Sequence, residues 1–247
     1  MTALIKAEFR KLFSLRSTYL VLLFAFLIEV LFAFYISGWR ASEAARVDPG
    51  YLASQVFSAV NLLGLFAAIV GVLSITHEYR YNTIMYTLTS SSSRTRVVLA
   101  KFITISVFAV GFGLVFGWLS PLLAWTGMQM HGIHTVAQQL DVWNLTWRAI
   151  FGGWGVAMFA SIFAMLARVQ VAAIAAIFLI PGTIEPLLGL LLKQNQVYLP
   201  YSSLNIVLNT GSGSTPISLT TAVLVSLGYI IGGWVIAWAL FLRRDAN

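Results

Sequence analysis

The chain has no cysteine, and it is poor in charge. Of its 247 residues only 9% are Asp, Glu, Lys or Arg, and only eight are acidic. Without cysteine there can be no disulfide, no thiolate metal site and no cysteine nucleophile. The scarcity of charge excludes an ordinary soluble domain, which carries about 25% charged and about 45–50% apolar residues. Here 59% of residues are hydrophobic and the mean hydropathy is +0.86. So few charges cannot cover a water-facing surface, and most of this surface must meet lipid. The phosphate loop G-x-x-x-x-G-K-[ST] is also missing, as is any H-E-x-x-H zinc motif, so the chain offers no nucleotide site and no hydrolytic metal site of its own. No nucleophile–base pair stands out either.

What charge there is leans positive, with a net +7. In a soluble protein that would suggest nucleic acid. Here the cations form no continuous stripe, so no nucleic-acid partner is expected. They read instead as loop charges that orient membrane spans.

The expected fold is all-α: a polytopic membrane protein, one domain over residues 1–247, with six transmembrane helices. Residues 1–16 read as an interfacial helix. Leu4, Ile5, Phe9, Leu12, Phe13 and Leu15 share one half of the helical wheel, while Lys6, Arg10 and Lys11 share the other. Glu8 interrupts the apolar half. Spans are expected at 18–38, 52–75, 102–126, 147–166, 171–190 and 219–242, each of about 20 residues, the length that crosses the hydrocarbon. Small residues four apart, Gly64/Ala68, Ala67/Gly71, Gly113/Gly117 and Gly228/Gly232, let helices approach closely. Pro121 should bend span 3. Pro181, Gly182 and Pro186 should break span 5 and make 187–201 a short re-entrant segment before span 6.

Two acids fall at membrane depth. Glu29 lies near the middle of span 1 and Glu185 in the broken part of span 5. Ionised groups there are costly, which makes both candidates for the translocation path, against a purely structural role. His131 and His134 have the spacing of a metal pair but lack a third ligand, so no metal is expected.

The most polar stretch is 77–101. It reads as helix end, turn, short transverse helix, turn, helix start. Asn82 accepts a left-handed cap, Thr83 can N-cap a helix at 84–88, and Ser90 to Ser93 break it. An inside amino terminus puts eleven of the fifteen Lys and Arg on the side of this stretch and four on the other. That bias places the stretch and both termini in the cytoplasm.

The run Glu78-Tyr79-Arg80-Tyr81-Asn82-Thr83-Ile84, followed by Ser93-Arg94-Thr95-Arg96 and Lys101, resembles the permeases of ABC-2 type transporters. It is similar to that family's acidic-x-basic-x-glycine-threonine run, its Pro-x-Arg segment and its closing lysine. Asn82 stands for the glycine and Ser92 for the proline. The resemblance implies a membrane-spanning subunit of a bacterial ATP-driven transporter, an exporter, in the cytoplasmic (plasma) membrane. It implies a cytoplasmic coupling helix between spans 2 and 3 that docks on a separate ATP-binding subunit. ATP and magnesium would bind there, and no cofactor would bind this chain. Ile84, Met85 and Leu88 would anchor the contact and Glu78, Arg80, Arg94 and Arg96 would flank it, with Asn82 and Thr83 shaping the turn. A second permease, in a homodimer or a heterodimer, would complete the pathway. The residues by themselves leave open an ATPase-independent secondary transporter or channel, or a regulatory membrane subunit. The first would often show an internal repeat, and none is evident.

Overall fold

The computed structural model describes residues 1–40, 49–89, 93–132, 141–208 and 216–243, with backbone alone for 36–38, 49–63 and 145. Glu43, Arg46 and Asp48 of the first loop, Ser90, Ser91 and Ser92, His134, most of the loop at 210–218 and Arg244 lie outside the described residues. The described chain is helical, with no strand.

Helix α1 (Thr2–Ser14) ends at Leu15, whose extended backbone turns the chain into α2 (Arg16–Glu29). From Val30 to Arg40 the same rod continues as a π-helix. Then follow α3 (Pro49–Arg80), the short α4 (Ile84–Thr89) and α5 (Arg94–Met130). Helix α6 (Val142–Ala167) starts under a side-chain cap, Asp141 accepting from the Asn144 N–H at 3.1 Å. Arg168 ends it in the left-handed conformation, φ 57°. Helix α7 (Gln170–Leu179) passes through a π turn (Ile180–Ile184) into α8 (Glu185–Leu192). Helices α9 (Pro200–Leu208) and α10 (Leu219–Arg243) complete the chain.

Among the described residues, five helices are long and apolar enough to cross a membrane: Arg16–Tyr35, Arg94–Met130, Val142–Ala167, Gln170–Tyr198 and Leu219–Arg243. Pro181 and Pro186 do not stop the fourth of these. The bonds they cannot donate are absorbed by the wider π turn at Pro181 and by the first turn of α8, where Pro186 lacks nothing the helix would use. The break comes later, at Lys193, with φ 50°.

Helix α6 is the hub. It packs against α3, α5, α7, α9 and α10. Small residues set these contacts. A Cβ added at Gly113 would stand 2.7 Å from the Ile150 Cα, and one at Gly117 3.2 Å from the Thr146 Cα. The α5–α6 approach therefore depends on bare glycine backbone. Gly64 and Gly71 face Gly153 and Ala157 of α6 in the same manner. Gly228 and Gly232 have nothing within 4 Å, and it is Gly233 that meets α6, at Ile162. Pro121 leaves the Gly117 carbonyl without its intrahelical donor. The Thr146 hydroxyl of α6, which donates to its own Val142 carbonyl at 2.8 Å, also lies 3.3 Å from the Gly117 carbonyl, so the neighbouring helix shares in filling the vacancy.

One end of the bundle gathers α1, the α3–α4–α5 turn, the α6–α7 turn and the end of α10. The Arg94 guanidinium donates to the Leu242 carbonyl at 3.4 Å, and Arg80 donates to Gln170 Oε1 at 3.3 Å. This is the polar end, and it carries the site.

Candidate functional site

The site begins with two residues one helical turn apart. Glu8 and Lys11 of α1 share a face, and the Lys11 ammonium lies 2.7 Å from Glu8 Oε1. From the last turn of α3, Glu78 approaches the same ammonium at 2.6 Å. From the first turns of α5, Lys101 lies 2.9 Å from Glu8 Oε2 and 2.9 Å from Glu78 Oε2. Two carboxylates and two ammoniums thus alternate in a closed ring drawn from three helices. Glu8, Glu78 and Lys101 are buried, whereas the Lys11 side chain keeps 43% of its exposure. The ring sums to zero charge, which is what allows it to be buried.

Helix α4 rests on this ring. Lys11 donates to Thr87 Oγ1 at 2.9 Å, and the Thr87 hydroxyl donates to Glu78 Oε1 at 3.3 Å. Burial alone would raise the Glu78 carboxyl. The Lys101 and Lys11 charges and their hydrogen bonds outweigh it and hold Glu78 below the ordinary carboxylate range.

The turn that carries α4 is built by Asn82. With φ 53° it takes the left-handed position past α3. The Thr83 N–H reaches the Glu78 carbonyl at 2.9 Å and the Asn82 N–H reaches the Tyr79 carbonyl at 3.3 Å. These two bonds form a Schellman closure, with asparagine where glycine is commonest. Thr83 does not cap α4 through its side chain. Its hydroxyl points back to the Glu78 carbonyl, at 3.5 Å.

The remaining sequence-selected residues divide by exposure. Ile84 is buried at 3% and belongs to the chain's own core, with Leu88 packed partly against it. Met85 is 49% exposed, and Tyr86 and Tyr81, which sequence reasoning passed over, are 76% and 61% exposed. Arg80, Arg94 and Arg96 are exposed around α4.

Glu29 and Glu185 are not part of this ensemble. Glu29 is fully buried and hydrogen-bonded with Ser120 of α5. Glu185 accepts from the Tyr201 N–H at 2.7 Å, the Ser202 N–H at 2.8 Å and the Ser202 hydroxyl at 2.7 Å. It caps the start of α9. At the other end of the bundle the His131 ring stacks on Trp39 at 4.6 Å. Among the described residues no group of three His, Cys, Asp or Glu could hold a metal ion.

Sequence reasoning also missed Glu8, Lys11 and Thr87. The signal for Glu8 was present, since a single acid on the apolar face of an amphipathic helix needs a buried cation.

Residues 4–184 match the family model described as ABC-2 family transporter protein. The chain belongs to the ABC-2 transporter family. No curated protein matches it. As an ABC-2 permease it is a multi-pass membrane protein and the membrane transport component of an ABC transporter system. The matched region contains all four members of the ring, Thr87 and α4. It stops just before Glu185, so α8, α9 and α10 lie beyond it.

Proposed function

We propose that this ABC-2 permease is one half of the pathway of an ATP-driven exporter, and that α4 is its coupling helix. The helix seats in a groove of a separate ATP-binding subunit, which binds ATP and magnesium. A second permease, identical or homologous, supplies the other half. The part of α3 at 52–75 joins the five apolar helices as a sixth span, and Glu78 lies beyond its inner end. The ring, α4 and both termini face the cytoplasm of a bacterial cell, the side on which eleven of the fifteen Lys and Arg then fall.

The observation that carries this reading is the division of α4 into two faces. Ile84 and Thr87 are buried, with Thr87 on the charge ring, while Tyr81, Met85 and Tyr86 stand exposed beside it. An exposed cluster of two tyrosines and a methionine at the polar end does not face acyl chains. It is the composition of an interface anchor, with Arg80, Arg94 and Arg96 as a charged rim. A pull on α4 passes to α1 through Thr87 and Lys11, to α3 through Glu78 and to α5 through Lys101. These elements would then move as rigid bodies about the pathway.

The reading is tested by affinity isolation of the tagged chain in mild detergent. A co-purifying protein that carries the G-x-x-x-x-G-K-[ST] loop is expected, together with its loss on Met85→Asp or Tyr86→Asp at unchanged thermal stability. Retention of that protein by both variants would remove α4 as the contact. Transport by the chain reconstituted without any ATPase would remove the coupling altogether.

A further inference from the structure

Beside the ring, but separate from it, the end of α3 and the α6–α7 turn enclose a cavity of about 430 Å³. Arg80 and Arg168 both line it. No acidic side chain is among the lining residues, so the walls carry two positive charges and no negative one. Each of the two residues has a contact within this corner of the fold. Arg80 donates to Gln170 Oε1 at 3.3 Å, and Arg168 lies over the Tyr79 ring at 5.3 Å. Arg168 also occupies a left-handed backbone position, φ 57°. Glycine takes that conformation without strain, whereas any other L-residue costs about 1–2 kcal/mol.

The opposite wall is aliphatic. Val169 and Val171 are exposed, Val171 at 77%, and Ile174 continues the wall one turn along the apolar helix that begins at Gln170. Within one helical turn the lining passes from guanidinium to hydrocarbon. A phospholipid makes the same change between its phosphate and its acyl chains. Basic pockets between spans at the cytoplasmic surface bind anionic headgroups, and guanidinium matches phosphate oxygens in a two-pronged fashion. A protein partner would meet the two arginines as well, but it has no reason to lie along Val171 and Ile174 within the bilayer.

We propose that Arg80 and Arg168 bind the phosphate of an anionic phospholipid, with an acyl chain laid along Val171 and Ile174. This rests on the membrane placement argued above, not on the docking of an ATPase.

Native mass spectrometry of the full chain in detergent tests it, with phosphatidylglycerol as the probe. Inorganic phosphate serves as a competitor and diacylglycerol as a phosphate-free control. Arg168→Gly suits the left-handed backbone and removes the whole side chain with its guanidinium, and Arg80→Gln removes the other guanidinium while keeping part of its stem. Each variant is expected to bind phosphatidylglycerol at least about ten-fold more weakly, the size of one charge-assisted hydrogen bond. Diacylglycerol binding should be unchanged, and inorganic phosphate should displace the lipid from the wild type. Equal phosphatidylglycerol affinity in wild type and both variants overturns the proposal. Binding of inorganic phosphate without retention of the lipid overturns the lipid assignment and gives the site to a soluble phosphate. Loss of the ATP-binding subunit from both variants with lipid binding intact gives the surface to a protein and overturns the proposal equally.

Discussion

Lys11 of the amino-terminal helix donates to Thr87 of α4 across 2.9 Å, between positions 76 residues apart in the chain. The same ammonium is 2.6 Å from Glu78. Helix α4 is therefore fastened to α1 directly, in addition to its covalent links to α3 and α5. A displacement of α4 is shared among three helices at the polar end, and the alternating charge ring is the fastening.

The costs of neutralising two members of the ring should not add. Glu8→Gln leaves Lys101 with one carboxylate at a buried position, and Lys101→Met leaves Glu8 and Glu78 facing Lys11 alone. Breaking one partner of a buried ion pair costs about 3–5 kcal/mol. Thermal unfolding in detergent should show both single variants strongly destabilised. The double variant Glu8→Gln/Lys101→Met should lose less than the two singles added together, because their costs share one contact.

Glu78 gives the ring a pH dependence. Its carboxyl is held below the ordinary range, so the folded state binds fewer protons there than the unfolded state. The stability it contributes is present above the unfolded carboxylate value, about 4.3. That stability declines as pH falls through the folded value. Acidification from pH 7 to below the ordinary carboxylate range should release α1, seen as faster amide exchange at residues 2–14. The Glu78→Gln variant should lack this acid step.

Glu185 should behave as a helix cap. Three donors at the start of α9 converge on its carboxylate. Glu185→Ala should cost about 1–2 kcal/mol, the range of a lost N-cap, with exchange accelerated at 200–208. Glu185→Gln should recover part of the loss, since an amide oxygen still accepts. An exchange pattern unaffected by Glu185→Ala would contradict this role.

The α5–α6 contact should be intolerant of a single carbon. Gly113→Ala places a methyl 2.7 Å from the Ile150 Cα, backbone that cannot swing aside, and should cost about 1–3 kcal/mol. Gly232→Ala meets nothing within 4 Å and should be neutral or slightly stabilising, since alanine is the better helix former. Melting temperatures of the two variants separate the cases.

The architecture of this permease was legible because lipid leaves so few options. Long apolar runs there form helices, which satisfy their own backbone groups. The left-handed turn at Asn82 was legible because few residues tolerate it. The direction in which α4 faces was not. Six residues give less than two helical turns, too few for a periodicity to show that Ile84 points inward and Tyr86 outward. The ring was illegible as a set because its members lie up to 93 positions apart, and only the fold brings Glu8 to Lys101. The capping role of Glu185 was not legible, because a buried acid in a span reads first as a path candidate. Two of its three donors are backbone N–H groups, which carry no side-chain signature in a sequence. The continuity of α7 into α8 was hidden by two prolines, which a π turn and a helix first turn can absorb.

The central claim is that α4 is gripped by an ATP-binding subunit, and cross-linking at Tyr86 tests it most directly. The chain has no native cysteine, so Tyr86→Cys creates one addressable site on the exposed face. A photoactivatable maleimide attached there, with the transporter illuminated in its membrane, should yield an adduct whose added mass is that of a protein containing the phosphate loop. Adducts to lipid alone, or to a protein without that loop, would contradict the account.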